Sequence, residues 1–170
     1  MGNTLEEVVF EIVSVLATDL PAKLDALDTE YGDGITLDDI QRFYVSDIDK
    51  SFNINQCPFV VVMGRGYSVD SSSLSTGRDM LRVEIETYVG SDPNLKLTKG
   101  GREYVFEEVL EVRIMRYARA IREVLYAKRT LNNKCEWINV DDALISNVLP
   151  VEDAFMRAHR LTCEVSTFKR

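Results

Sequence analysis

The chain has 170 residues and is poor in the groups that carry most protein chemistry: one histidine, His159, one tryptophan and three cysteines. A single histidine excludes histidine-rich metal sites and leaves one imidazole as a candidate general base. Cys57, Cys135 and Cys163 are far apart, odd in number and form no Cys-x-x-Cys. That argues against a disulfide scaffold and predicts synthesis in a reducing cytoplasm. No apolar run approaches the roughly 20 residues that span a bilayer. The first residues, MGNTLEEVVF, lack the basic start of a signal peptide, and Glu6 stands where a myristoylation motif has Ser or Thr. The expectation is a soluble, unexported protein with no membrane partner.

Positive charge is also scarce where nucleic-acid binding needs it. The formal net charge is −8. Residues 1–100 hold 17 acidic and 8 basic side chains, whereas residues 101–170 hold 11 and 12. A protein that grips DNA phosphates clusters Lys and Arg, so the acidic first half excludes that mode of binding. At 45% hydrophobic residues the chain suits a single domain, 1–170, with a real core.

Periodicity supplies the elements. Thr4 and Glu7 form a Thr-x-x-Glu capping pattern before Leu5, Val9, Ile12, Leu16 and Leu20, which recur at helical spacing. The helix runs to about residue 27, with a kink or fresh start at Pro21. Residues 28–57 read as an irregular acidic segment, from which Ile40, Phe43 and Tyr44 cap the core. Phe59-Val60-Val61-Val62-Met63 reads as a buried strand ended by Gly64-Arg65-Gly66. Residues 67–77 are Ser-rich and predict a mobile loop.

From 79 to 89 the alternation is strong: Leu81, Val83, Ile85 and Val89 share one face, and Met80, Arg82, Glu84, Glu86 and Tyr88 the other. A linker through GSDPNLKLTKGG leads to a second helix over 104–131, with Leu110, Ile114, Ile121 and Leu125 on its apolar line. Two short segments around an Asp141-Asp142 turn precede a last strand over 155–168. The fold class is α+β, an antiparallel sheet of about four to five strands packed against two long helices.

Candidate chemistry is thin. The stretch DTEYGDGITLDDI from Asp28 to Ile40 has the texture of a calcium loop. With Gly34 at loop position 6, Tyr31 falls at position 3 and Ile40 at 12; with Gly32 there, Leu27 falls at position 1. Neither register places carboxylates where an EF-hand loop needs them. A calcium-binding module at 28–40 is therefore the weaker alternative. Gly64-x-Gly66 lacks the third glycine of a dinucleotide loop, and Lys99-Gly100-Gly101 reverses the Walker order. The acid pairs Asp38-Asp39, Asp47 with Asp49, and Asp141-Asp142 read as solvated turns. A hydrolase on His159 and a nearby acid would need a polar cleft around the last strand. The sequence thus predicts no enzyme, no metal and no cofactor.

Arg113, Arg116, Arg119 and Arg122 sit at three-residue spacing along the second helix. Two readings stand level: a salt-bridged solvent face, or a subunit interface that meets the acidic half of a neighbouring copy. The candidate interface residues are these four arginines with Arg65, Tyr67, Asp70, Asp33, Asp38 and Asp39.

The element order resembles the tail terminator, or tail completion, proteins of long-tailed bacteriophages. The likeness is carried by Leu20-Pro21-Ala22-Lys23-Leu24, Tyr31-Gly32-Asp33-Gly34-Ile35, the Pro58-led strand Phe59-Val60-Val61-Val62, the strand from Arg82 to Val89, the helix around Tyr117 to Leu125 and the strand from Arg160 to Ser166. It covers most of the chain and is one of pattern and length, without a signature motif. The resemblance implies a non-enzymatic virion protein of the tail neck, assembled in the host cytoplasm. It implies a self-associating ring, of six copies, on the head-proximal end of the tail tube. Its partners are the tail tube protein, a neck or head-tail connector protein and, in a contractile tail, the sheath. DNA passes through without specific binding, which the acidic balance suits. Other head-tail connector or neck proteins share this build and are the alternative. The segment 28–57 is longer than in small members of the family and is a candidate contact arm.

Overall fold

The computed structural model describes residues 4–45, 56–69, 79–92, 94–151 and 154–167. The fold is α+β: two helices lie on one face of a mixed sheet. The elements in chain order are α1 (Leu5–Tyr31), β1 (Arg42–Tyr44), β2 (Phe59–Val69), β3 (Asp79–Gly90), β4 (Leu97–Lys99), β5 (Arg102–Tyr104), α2 (Phe106–Ala127), β6 (Trp137–Ile145), β7 (Leu149–Val151) and β8 (Ala154–Thr167). Among the described residues the main sheet has six strands in the order β1-β2-β3-β8-β6, with β7 also on β8. All pairings are antiparallel except β1 with β2, so the predicted antiparallel sheet of four to five strands is larger and mixed. A separate hairpin, β4–β5, forms at the end of the stretch expected to be a linker or tip.

Helix α1 starts as its sequence dictates. The Thr4 hydroxyl accepts the Glu7 N–H at 3.2 Å and the Glu7 carboxylate accepts the Thr4 N–H at 2.6 Å, satisfying two donors that a helix start leaves open. The helix runs through Pro21 instead of restarting there. Leu20 and Leu24, on either side, are fully buried, and their packing outweighs the backbone hydrogen bond that proline cannot donate. It ends at Gly32, whose left-handed backbone (φ 54°) lets its N–H reach the Asp28 carbonyl at 2.9 Å.

The core lies between the helices and one face of the sheet. Ile12, Leu16, Leu20 and Leu24 of α1 and Leu110, Ile114, Tyr117 and Ile121 of α2 pack on Val60, Val62, Val83, Ile85, Leu161, Cys163 and Val165. In β3 the alternation holds residue by residue, with Leu81, Val83, Ile85 and Val89 inward. Strand β2 does not stop at Gly64. It continues to Val69 through a bulge between Gly64 and Gly66, which is how glycines in an otherwise good strand are accommodated. Similarly, the expected Asp141-Asp142 turn is an irregularity inside one strand, β6. Helix α2 is shorter than predicted and ends at Ala127. The chain then turns, with Leu131, Asn132 and Asn133 all at positive φ. A smaller cluster of Phe59, Val61 and Met63 with Tyr44, Cys57 and Tyr88 lies on the sheet face away from the helices. The predicted mobile loop 67–77 falls mainly outside the described residues, as do Asp47, Asp49 and Asp70.

Candidate interaction surfaces

The arginines of α2 do not share one environment. A step of three residues turns a helix by about −60°, so a row spaced by three slants across its surface. Arg113 and Arg116 fall on the buried side, 3% and 5% exposed, whereas the Arg119 side chain is 38% exposed at the rim and Arg122 is half-buried. Both readings of the row, a solvent face and a subunit interface, place the arginines at the surface, and the burial of the first two inside this chain departs from both.

Their partners lie in the acidic segment of the same chain. Arg113 donates to Asp38 at 2.5 Å and to the Gly90 carbonyl at 3.1 Å. Arg116 donates through both terminal nitrogens to the two oxygens of Asp33, and lies 3.9 Å from the centroid of the Tyr31 ring. Arg119 takes Glu30 in a two-pronged contact at 2.8 and 3.1 Å, Glu123 at 2.7 Å and the Tyr31 hydroxyl at 2.8 Å. Lys23 pairs with Glu123, and Lys128 with Asp19 at 3.5 Å. Read along α2, the partners run backwards along the first helix and its tail: Asp38, Asp33, Glu30, Lys23, Asp19. The result is an antiparallel ionic zipper between the two halves of the molecule.

The zipper uses the carboxylates that suggested a calcium loop. The Arg116 hydrogen bonds hold the Asp33 carboxyl below its usual range, against the opposing effect of burial. Burial raises Asp28, although its carboxylate accepts the Leu37 N–H at 2.9 and 3.2 Å. Lys23, then Arg119, lowers Glu123. A cation at 28–40 would have to displace these donors. Among the described residues no group of three or more His, Cys, Asp or Glu side chains is placed to hold a metal ion. Asp39 is exposed.

His159 lies on β8 opposite Thr87 of β3 and Ile145 of β6, 1% exposed. Neither ring nitrogen has a hydrogen-bond partner, and burial, with a smaller contribution from the nearby Arg122 charge, lowers its pKa to about 4. A histidine so held is neutral at pH 7, and among the described residues no carboxylate hydrogen-bonds to its ring. A cavity of about 380 Å³ beside it is lined by Arg119, Arg122 and Glu123 together with Met115, Ala118 and Ile145.

Three further surfaces are open. On the helix-free sheet face, Arg65, Glu84, Arg160 and Glu86 form a row of alternating charge across β2, β3 and β8, with contacts at 2.8 Å for Arg65–Glu84 and 2.5 Å for Arg160–Glu86. At one sheet edge, a cavity of about 460 Å³ is walled by Leu5, Val9, Val45, Val62 and Met63, with Tyr67 at its rim, 67% exposed. At the other edge Leu144 is 75% exposed, and Leu149 and Ile145 are 40% and 37% exposed. Arg65 and Tyr67, two of the candidate interface residues, lie on these surfaces; Leu144, which reads in the sequence as one more apolar residue in a short segment, is not among the candidates. No helix among the described residues is long and apolar enough to cross a membrane. Comparison with protein-family models and with curated proteins finds no match to the chain.

Proposed function

We propose that this chain is a structural virion protein that forms a ring at the head-proximal end of a bacteriophage tail tube, ends tube growth and joins the tail to the neck. The observation that carries this reading is, among the described residues, a six-stranded sheet whose two outer edges, β1 with β2 and β6 with β7, are unlike each other. A contact between two unlike surfaces of identical subunits is heterologous, and it closes into a ring when its rotation permits. The elements on which the family resemblance rests also stand in the expected order, α1, β2, β3, α2 and β8.

The chemistry of the reading is association rather than catalysis. The two helices are spent on the core and tied to each other by the ionic zipper, so they serve as a rigid back. The free sheet face and edges are what a subunit can offer to neighbours, to the tube protein and to a neck protein. A net charge of −8 and a sheet face of alternating sign give DNA no phosphate-binding track, so it passes through the ring without specific contacts. Native mass spectrometry of the purified chain tests the reading. Six-membered assemblies support it, and a monomer at every concentration opposes it. Another ring of the neck is the alternative, and it is distinguished by capping of connector complexes in place of tube ends.

A further inference from the structure

We infer that the β4–β5 hairpin is a hinged flap: it closes over the cavity that holds the Arg116–Asp33 rung of the ionic zipper, and it opens as a unit while the main sheet stays folded. The flap does not depend on the ring reading.

The hairpin stands apart from the main sheet. Its strands pair with each other, Leu97 with Tyr104 and Lys99 with Arg102, and with no other strand among the described residues. Neither strand lies closely along a helix or along another strand. Gly100 and Gly101, at φ 62° and 77°, make its two-residue turn, a geometry that suits glycine at both positions. A two-stranded hairpin is marginal in water by itself, so what it packs on decides whether it stays closed.

It packs on little. From Lys96 to Phe106 only Leu97 is buried, at 3% exposed. Leu97 meets Ile35 of the chain after α1 and Val109 of α2, with Leu95, Tyr104 and Val112 half-buried around them. This cluster is separate from the main core between the helices and the sheet. The ion pairs of the hairpin are exposed ones. Arg102 donates to Glu108 of α2 at 2.6 Å, with side chains 64% and 36% exposed, and Lys96 lies 3.9 Å from Glu103 across the hairpin. Exposed pairs of this kind contribute little. A segment with so few buried apolar contacts opens at a lower free energy than the core strands.

Both ends of the hairpin are tied down, which confines the motion to residues 95–104. At the entry, the Asn94 N–H donates to the Asp92 carboxylate at 2.8 Å and the Leu95 N–H to the Asp92 carbonyl at 3.1 Å. At the exit, the Val105 N–H donates to the Glu108 carboxylate at 3.1 Å, which caps α2. Between these hinges the hairpin walls a cavity of about 490 Å³. Leu97, Lys99 and Tyr104 line it from the hairpin, and Tyr31, Asp33 and Arg116 from the helices and the turn after α1. The hairpin is thus one wall of the space in which Arg116 and Asp33 are shielded, and its opening admits water to that ion pair.

Native-state hydrogen exchange of the full chain, read by mass spectrometry under conditions where reclosing outpaces exchange, tests the flap. Amides of 95–104 should exchange at a rate that low urea does not change. Those of 81–89 and 161–165 should speed up with urea, because they wait for global unfolding. Val165→Ala, in the core of β8, should speed exchange in 81–89 at least tenfold and leave 95–104 unchanged. Leu97→Ala should speed 95–104 at least tenfold. The same urea response in the hairpin as in β3, or a hairpin that speeds up with Val165→Ala, overturns the inference. So does a hairpin rate that Leu97→Ala leaves unchanged.

Discussion

Arg116 of α2 holds Asp33 through both terminal nitrogens of its guanidinium, with one contact at 3.0 Å, across a sequence separation of 83 residues. The two side chains are 6% and 13% exposed, so this is the best-shielded rung of the ionic zipper. It fixes the turn after α1 to the second helix, and it decides what that acidic turn is for. The carboxylates after Tyr31 hold the molecule together.

Removing one partner of a shielded ion pair leaves the other charge buried. Asp33→Asn should therefore cost about 2–4 kcal/mol in urea unfolding. Asp39→Asn, on an exposed side chain, should stay within about 0.5 kcal/mol. The pair is also pH-dependent. Arg116 lowers the folded-state pKa of Asp33, so its stabilisation is complete above the unfolded value of 3.8 and is lost as pH falls through the depressed folded value.

His159 gives a second, separate pH window. Its folded pKa is lowered from 6.5 to about 4 by burial and then by Arg122. The unfolded chain takes up a proton below pH 6.5 and the folded chain does not until about pH 4. Stability should therefore fall by roughly 3 kcal/mol as pH drops through that interval and then level off in this respect. His159→Leu should remove that part of the acid sensitivity. As the only histidine, His159 can be followed directly by its own NMR signal during titration.

Pro21 sits inside α1 without a backbone N–H to donate. Pro21→Ala restores a donor for the Ala17 carbonyl and should raise stability by about 1–3 kcal/mol, read as a higher denaturant midpoint. Gly64→Ala should do the opposite. Its new Cβ would meet Leu5 at 2.8 and 2.9 Å, so Leu5 must move. A loss of about 1 kcal/mol is expected, read as a lower denaturant midpoint.

These positions also show what the sequence makes legible. Thr4 with Glu7, and the alternation from Leu81 to Val89, are local patterns, and both form as read. The bulge at Gly64–Gly66 was misread as a strand end, because a glycine in a strand and a glycine in a turn look alike without the partner strand. The parallel pairing of β1 with β2 has no local signature at all. Arg113 and Arg116 were misplaced for a similar reason. Charges at three-residue spacing normally mark a solvated face, and their burial depends on acids 75 and 83 residues away. The exposed edge at Leu144 follows from strand order, which composition and periodicity do not reveal.

The central claim is that the chain closes into a ring, and negative-stain electron microscopy of the purified protein at high concentration tests it most directly. The account predicts annular particles with six-fold symmetry and an open centre. A field of uniform single subunits at every concentration examined would contradict it.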